Sequence, residues 1–276
     1  MRLSGKVALV TGTSPNIGGG IAEGLANEGA TIVAVDARPE NASDCARAIE
    51  AAGGKALGLT CDVSNEDQVK RTVEAGLSAF GKIDILVNNA AIFNKKGVLD
   101  MPLAEWRKQT DVILTGAFLF TKYVARSMIE RGVSGRILNI ISTAGHQGEP
   151  GNIAYSTSKC GLLNFTRSAA MELVGYNIRV NSLTPTATDP AESFERAARW
   201  GREARAPAAL TALMEPFRRG IPMQRLPKPT DYGLAAAFLV SDDAAMITGT
   251  DLRVDAGAIA RYWAWDPASA HAGTEV

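Results

Sequence analysis

Residues 6–20 read KVALVTGTSPNIGGG, an aliphatic run that passes through Gly12 into a glycine-rich stretch. The apolar spacing of Ile17–Glu28 then predicts a helix. A strand that turns through glycines into a helix presents backbone N–H groups and a positive helix end to a phosphate. Asp36 ends the next aliphatic run about 20 positions after Gly12, where a carboxylate can meet a ribose 2′-hydroxyl. This stretch therefore predicts a dinucleotide-binding turn within the first β-α-β unit of an α/β fold.

Strand-like and helix-like segments alternate along most of the chain. The predicted strands are Lys6–Thr11, Thr31–Asp36, Ala56–Thr60, Ile83–Val87, Arg136–Ile141, Asn177–Leu183 and Asp251–Val254. One long helix is predicted over Pro102–Arg131, and Ser64 with Asp67 forms a predicted capping box before another. Continuous aliphatic strands suit a sheet that is covered on both faces. We therefore expect one domain over residues 1–276, a Rossmann-like doubly wound parallel sheet of about seven strands with helices on both faces.

Composition excludes several classes of protein. The 276 residues carry 29 basic and 29 acidic side chains, so no global charge attracts nucleic acid or an anionic membrane. The N-terminus lacks the apolar core of a secretory signal, and no apolar run is long enough to span a bilayer. Three widely spaced cysteines indicate reduced thiols, and two histidines without a cysteine cluster argue against a metal site. We expect a cytoplasmic protein without a metal, a membrane or a nucleic acid partner.

Two segments depart from the alternation. In residues 186–222, arginines at three-residue spacing predict a solvated helix face (Arg196, Arg199, Arg202 and Arg205). A following apolar stripe predicts core packing or a partly apolar pocket (Leu210, Leu213, Met214 and Phe217). The second segment, residues 258–276, contains Tyr262, Trp263 and Trp265, and aromatic residues at this density predict an interface or a pocket wall.

Tyr155 and Lys159 are four residues apart on a predicted helix and therefore share one face. An ammonium group beside a phenol favours the phenolate, which predicts a lowered pKa for Tyr155 and a general acid or base. Ser142 ends a predicted strand shortly before this pair.

Taken together, these motifs resemble the short-chain dehydrogenase/reductase family, in its single-domain branch. The resemblance extends from about Gly5 to Gly257 and rests on sequence marks spread along the chain. They are Thr11-Gly12 with Gly18, Cys61-Asp62-Val63, Asn88-Asn89-Ala90-Ala91, Ser142, Tyr155 with Lys159, Arg179-Val180-Asn181 and Val254-Asp255-Ala256-Gly257.

The resemblance implies hydride transfer between a nicotinamide cofactor and a secondary alcohol or its ketone. Ser142, Tyr155 and Lys159 would be the catalytic residues. The implied cofactor-binding residues are Gly12, Ser14, Asn16, Ile17, Gly18, Asp36, Asp62, Val63, Asn89, Ala90, Tyr155, Lys159, Pro185 and Thr188. Asp36 favours NAD over NADP because a carboxylate repels a 2′-phosphate, although Arg38 could counter that charge.

Residues 186–222 correspond to the family's lid over the active site. The substrate candidates are His146, Phe93, Asn94, Gln147, Trp200 and Met214, and they suggest a cyclic or aryl-bearing alcohol. Members of the family commonly form tetramers, so a homotetramer is expected. Three other functions stay open: a non-catalytic nucleotide-binding regulator, an NADP-dependent ketone reductase, and epimerisation or elimination through a transient ketone at the same site.

Two positions depart from the family's pattern. Asn16 replaces the usual middle glycine of the turn and follows Pro15, which has no N–H to donate. Asparagine tolerates left-handed backbone, so the turn is expected to survive with a reshaped phosphate cradle. Ile113 stands where the family carries an asparagine that supports a helix irregularity and a water chain to the lysine. Either Asp111 or Thr115 takes over that role, or protons reach Lys159 by another path.

Overall fold

The computed structural model describes residues 1–203, 208–262 and 266. Its strands are β1 (Val7–Thr11), β2 (Thr31–Asp36), β3 (Ala56–Thr60), β4 (Ile85–Asn88), β5 (Arg136–Ile140), β6 (Arg179–Pro185) and β7 (Asp251–Val254). They form a parallel sheet in the order β3-β2-β1-β4-β5-β6-β7. The predicted fold class is therefore confirmed.

The helices connect these strands on both faces of the sheet. They are α1 (Ile17–Asn27), α2 (Pro39–Ala51), α3 (Glu66–Phe80), α4 (Leu103–Thr110), α5 (Gly116–Glu130), α6 (Ile153–Leu173), α7 (Pro190–Arg199), α8 (Ala208–Gly220) and α9 (Pro229–Val240). A π-helical turn, Asp111–Thr115, joins α4 to α5, so the helix predicted over Pro102–Arg131 contains an irregularity. The N-cap of α3 is Asn65, whose side chain accepts from the Gln68 N–H; the cap predicted at Ser64 was one residue too early.

Alternate residues of each strand pack on opposite faces, which explains the aliphatic runs. On one face, Ala8 and Val10 belong to a core with α1, α2 and α9. On the other face, Val7 and Leu9 belong to a core with α3, α5 and α6. Burying both faces fixes the strand register, because a shift by one residue would exchange the two sets.

β1 and β4 lie side by side at the centre, and the chain order runs outward from them in both directions. At such a switch point the carboxyl ends of the strands leave a crevice between the diverging connections, where ligands bind in open α/β sheets. The glycine turn after β1 and the segment after β4 face each other there. Thr11 joins them, since its hydroxyl accepts from the backbone N–H groups of Asn89 and Ala90 at 3.0 and 3.2 Å.

The continuous helical stretch Leu103–Glu130 is long and apolar enough to cross a membrane by length and composition. Within the fold, 56% of its most apolar window is buried against the protein interior, which is the behaviour of a core helix. The expectation of no membrane partner stays a prediction.

Candidate active site

Backbone hydrogen bonds hold the turn after β1 in place. The N–H of Gly12 donates to Val35 at 2.7 Å, and that of Gly19 donates to Ser14 at 2.8 Å. Gly12 has a φ of +72°, in the left-handed region where a side chain is strained. A Cβ on Gly18 would overlap the Gly12 carbonyl oxygen and lie 2.6 Å from Asn89 Nδ2. The turn therefore requires glycine at both positions.

Asn89 ties this turn to the end of β4. Its side-chain amide donates to the carbonyl groups of Thr11 and Gly12 at 3.0 and 2.9 Å. Asn16 is the N-cap of α1 with a φ of −87°, so its backbone is not left-handed and the tolerance expected of asparagine is not used. The turn therefore forms with asparagine at the position where the family carries a glycine.

Asp36, at the end of β2, is 9% exposed, and its Oδ1 accepts the Arg38 N–H at 2.9 Å. This leaves Oδ2 available to a ribose hydroxyl. Asp62 is exposed at the end of the neighbouring strand, and its Oδ1 accepts from the hydroxyl and the N–H of Ser64 at 2.6 and 3.0 Å. The next residue, Val63, is buried. A glycine turn at the switch point and a carboxylate at the end of β2 fit a nicotinamide dinucleotide.

The three predicted catalytic residues come together at the ends of β5 and α6. Tyr155, in the first turn of α6, shares a side-chain hydrogen bond with Ser142, which follows β5. One turn later, Lys159 is 2% exposed and its Nζ lies 5.7 Å from the Tyr155 ring centroid. That Nζ donates to the Ile140 carbonyl at 2.6 Å. The lysine is thus held beneath the phenol.

The electrostatics of this pair differ from the expectation. Burial raises the pKa of Tyr155, and the hydrogen bond with Ser142 opposes that rise. Burial also lowers the pKa of Lys159 to about 7. Both groups therefore favour their neutral forms in the chain by itself, because desolvation penalises each charge. A lysine that titrates near neutrality can take up or release a proton beneath the phenol.

The π-helical turn forms although Ile113 occupies the family's asparagine position. Ile113 is 1% exposed and belongs to the turn. The Thr115 hydroxyl donates to Asp111 Oδ1 at 3.3 Å in an exposed pair, so these neighbours bond each other and face outward. The irregularity therefore forms without an asparagine amide at this position, and the role of Asp111 or Thr115 in a proton path to Lys159 stays a prediction.

Sequence reasoning gave no role to a buried polar network below the site. Asn88 and Asn139 pair across β4 and β5, with Nδ2 of Asn88 donating to Oδ1 of Asn139 at 2.9 Å. Asn88 also donates to Thr121 at 3.1 Å, and Asn139 donates to Thr166 at 2.9 Å. The available signal was one asparagine at or near the end of each aliphatic strand, Asn88 as the last residue of β4 and Asn139 as the last but one of β5. These amides tie the catalytic strand ends to α5 and α6.

Of the substrate candidates, Phe93 lies at the catalytic tyrosine, with ring centroids 5.9 Å apart in an edge-to-face arrangement. Gln147 is exposed just after the turn that follows Ser142. Asn94, by contrast, turns to α4, where its amide donates to Glu105 and its Oδ1 accepts from Gln109 at 2.7 Å.

His146 is also directed away from the cleft. Its Nε2 lies 3.0 Å from the Thr184 hydroxyl and 3.2 Å from Asp251 Oδ2, so it ties the turn after Ser142 to β6 and β7. His146 and Asn94 thus use these polar groups in bonds within the fold, and a substrate contact by either residue stays a prediction.

Trp200 is not at the substrate side either. It is 5% exposed in the core that covers α1, and its Nε1 donates to Glu23 at 3.2 Å. Met214 is half-buried on α8, where Leu213 and Phe217 are 55% and 47% exposed. Core packing is therefore wrong for Leu213 and Phe217 of the predicted apolar stripe.

Pro185 and Thr188 follow the end of β6. Pro185 is buried and pairs with Val254 of β7. The Thr188 hydroxyl donates to the Thr186 carbonyl at 3.1 Å and lies 3.2 Å from the Tyr232 hydroxyl. This hydroxyl is thus bonded within the protein, and a contact of Thr188 with the cofactor stays a prediction.

The arginines of α7 are not a solvated face. Arg196 is 2% exposed, and Arg202, just beyond the helix, donates from Nε to Asp44 Oδ2 at 2.7 Å. Arg199 remains 56% exposed on its side chain. Of the three, the prediction holds for Arg199 alone, whose side chain stays largely exposed while it pairs with Glu23; Arg196 and Arg202 are covered where they pair with Glu23 and Asp44. Arg205, Trp263 and Trp265 lie outside the described residues.

In the part of the chain that the structure describes, no group of three His, Cys, Asp or Glu side chains could hold a metal ion. Cys45 and Cys61 are buried free thiols, and Cys160 is an exposed one. The structure brings the hydroxyl of Ser142, the phenol of Tyr155 and the amine of Lys159 together at the cleft.

Known proteins resemble the chain over nearly its whole length. The family model described as Enoyl-(Acyl carrier protein) reductase matches residues 12–258. A 3-oxoacyl-(acyl-carrier-protein) reductase of Synechocystis sp. is 37% identical over 261 residues, covering 93% of this chain and 98% of the relative. A cis-4-hydroxycyclohexanecarboxylate dehydrogenase of Sinomonas cyclohexanicum is 37% identical over 253 residues, covering 91% and 96%. The solved structure of an NAD+-bound xylitol dehydrogenase has a TM-score of 0.82 at 34% identity, covering 92% and 99%.

Proposed function

Because the chain belongs to the short-chain dehydrogenase/reductase family of oxidoreductases, we propose that it is an NAD-dependent dehydrogenase that interconverts a secondary alcohol and a ketone. The observation that carries this proposal is Tyr155, bonded to Ser142 and stacked above the buried amine of Lys159. This arrangement places a proton donor and acceptor beside a hydroxyl that can bind the substrate oxygen.

Each residue has a distinct role in the proposed reaction. Ser142 donates a hydrogen bond to the substrate oxygen and holds it against the Tyr155 hydroxyl. Tyr155 removes the alcohol proton in oxidation and returns it in reduction. Lys159 in its charged form favours the phenolate, since opposite charges at this distance stabilise each other in a buried site. The nicotinamide, when bound, supplies the hydride acceptor.

NAD is proposed rather than NADP. Asp36 is buried at the end of β2, and a carboxylate there accepts from a ribose 2′-hydroxyl but repels a 2′-phosphate. The relative solved with NAD+ supports the same choice. The exposed Arg38 side chain is the nearby group that could favour a phosphate.

For the substrate we propose a cyclic or aryl-bearing secondary alcohol. Phe93 supplies an exposed aromatic face next to Tyr155, and one relative is named for a hydroxycyclohexane carboxylate.

We also propose a cytoplasmic homotetramer. The proposal is supported by the tetramers that members of the family commonly form and by apolar side chains exposed on α5 and α6, including Phe118 and Met171. Light scattering coupled to size exclusion measures the assembly, and a monomer would contradict it.

A second candidate function is reduction of a 3-oxoacyl thioester on a carrier protein. It is favoured by the description of the matching family model and by the relative from Synechocystis. In this reaction the same three residues would protonate the product alkoxide instead of deprotonating an alcohol.

One experiment separates these functions. A panel of cyclic and aryl secondary alcohols is incubated with NAD or NADP, and absorbance of the reduced cofactor is followed. Acetoacetyl-coenzyme A with NADH or NADPH probes the reductase. Alcohol oxidation with NAD supports the proposal, and a preference for NADP overturns the role of Asp36. Dinucleotide binding without turnover of either substrate class favours a non-catalytic regulator.

A further inference from the structure

Helix α7 lies directly on the nucleotide-binding turn. A Cβ added to Gly19 would be 3.0 Å from Cη2 of Trp200 and 3.1 Å from Cδ of Arg196. The residues after β6 thus reach back across the sheet to the first turn of α1, and this packing leaves no room for a side chain between the two helices.

The Arg196 guanidinium is the centre of this contact. Its Nη1 donates to the Pro15 carbonyl at 3.1 Å, while Nε donates to Glu23 at 2.9 Å and Nη2 to Glu192 at 2.7 Å. The side chain is 2% exposed. A buried guanidinium held by two carboxylates in fixed directions is a rigid group, so the carbonyl that it binds is fixed as well.

The partner carboxylates are themselves anchored. Glu192 Oε1 also accepts from the N–H and the hydroxyl of Thr230 at 3.1 and 2.5 Å, at the start of α9. Glu23 Oε1 accepts from the indole of Trp200 at 3.2 Å. Arg196 is therefore connected to α1 and α9 as well as to the turn.

A second contact from α7 reaches the adjacent residue of the turn. The Ser193 hydroxyl donates to Asn16 Oδ1 at 3.1 Å. Pro15 and Asn16 are the residues that give this turn its unusual composition, since one lacks an N–H and the other carries a side chain. Each of them is bound by α7, so α7 supplies interactions outside the turn's own backbone.

We propose that Arg196 is a positioning residue for the dinucleotide, acting through the Pro15 carbonyl to hold the turn in its binding form. The inference rests on the proposed function, because the turn matters only if a dinucleotide binds there. Without the guanidinium, Glu23 and Glu192 become unpaired and the turn samples other conformations. The apparent affinity for the cofactor then falls in proportion to the fraction of chains with the binding-competent turn.

The test is a direct titration of NADH and NADPH by fluorescence, with no alcohol present. Arg196→Met keeps the aliphatic stem over Gly19 and removes the guanidinium. It should raise the dissociation constant about tenfold. With NAD saturating, kcat and the KM for alcohol should stay within about twofold of the unmodified enzyme, because the catalytic residues are not touched.

Two matched variants separate positioning from general stability. Arg199→Met removes an exposed arginine from the same helix that contacts Glu23 but not the turn. Arg202→Met removes contacts to Asp44 and Asn41 of α2, again without touching the turn. Both should leave the dissociation constant within about twofold, and Arg202→Met should lower the melting temperature.

Each outcome decides the proposal. An unchanged dissociation constant in folded Arg196→Met overturns it, as does an equal loss of affinity in Arg202→Met. If Arg196→Met does not fold, Arg196→Lys is used with the same criterion, since an ammonium keeps the charge but cannot reproduce the three-way fork. If the unmodified chain binds neither dinucleotide, the proposed function fails and the inference with it. If the unmodified chain binds the dinucleotide and the dissociation constant does not change in Arg196→Met, the inference fails while the proposed function stands.

Discussion

The nucleotide-binding turn and the mouth of the catalytic cleft, formed by Phe93 and Gln147, are built in opposite ways. In the turn, Gly18 and Gly19 are buried, and Arg196, whose guanidinium binds the Pro15 carbonyl, is 2% exposed. At the cleft mouth, Phe93 is 66% exposed and Gln147 is exposed as well. From this difference we expect the proposed cofactor half to be formed before the ligand binds, whereas the proposed substrate half offers groups that are in contact with water. A pre-formed site spends little free energy on ordering when its ligand binds.

The sharpest way to separate these regions is Tyr155→Phe. The ring keeps its packing against Phe93, but the group that exchanges the substrate proton is lost. Turnover should fall about a thousandfold or more, while the dissociation constant of NADH stays within about twofold. Steady-state rates and a fluorescence titration measure the two effects. Retained turnover would remove Tyr155 from the catalytic role, and Tyr123→Phe is the control for loss of a phenol elsewhere.

Gly18→Ala tests the opposite region. The added Cβ would overlap the Gly12 carbonyl oxygen, so the turn must open to accommodate it. Affinity for NADH should fall about a hundredfold, with a lower melting temperature, because backbone rather than a flexible side chain has to move. Gly175→Ala is the control, since its Cβ would meet nothing within 4 Å. Equal affinity in the two variants would mean that the turn is not rigid.

The features that could be predicted from the sequence are those that neighbouring residues determine. The order of strands and helices follows from local periodicity, and the turn at Gly12 follows from a strand, glycines and a helix in succession. Tyr155 and Lys159 share a helix face at four-residue spacing. The turn of the chain at Ser142 is positioned by β5, which is also a local element.

The residues whose environment differs from the expectation have partners that are distant in the sequence. Arg196 was expected to face solvent, yet its partner Glu23 lies 173 positions earlier. His146 was placed in the cleft, yet it is held by Thr184 and Asp251 on strands that the sequence does not align with it. Local periodicity predicts which side chains lie on the same face of a helix or strand, but it does not predict which other element covers that face. Tertiary pairing decides whether a polar residue is free for substrate.

Lys159 belongs to the cleft, yet it is buried like the glycines of the nucleotide-binding turn. Burial lowers the pKa of Lys159 to about 7, from the 10.5 that is usual for a lysine in water. The folded state therefore binds fewer protons than the unfolded state between these values. The cost of burying the charge is fully present below about pH 7 and is relieved as the pH rises towards about 10.5.

Lys159→Met should consequently raise the melting temperature of the cofactor-free chain more at about pH 6 than at about pH 10. Differential scanning calorimetry at the two pH values measures the gain. Lys122→Met is the control, because the hydrogen bond that Lys122 donates to Glu66 raises the pKa of this half-buried lysine and its removal should give no gain. A gain that is equal at both pH values would show that the ammonium is not desolvated.

The smallest expected effect belongs to Phe93→Ala, at the exposed end of the comparison. Phe93 meets Tyr155 edge to face at 5.9 Å, and its other surface is open to a substrate ring. Truncation should raise the KM for a cyclic or aryl alcohol about fivefold, as expected for loss of one aromatic contact, while the NADH dissociation constant stays unchanged. Leu99→Ala, at a residue that is 94% exposed in the same loop, is the control and should leave both constants unchanged. If Phe93→Ala weakens NADH binding instead, the two regions are not independent, and the exposed side chain contributes to the cofactor half.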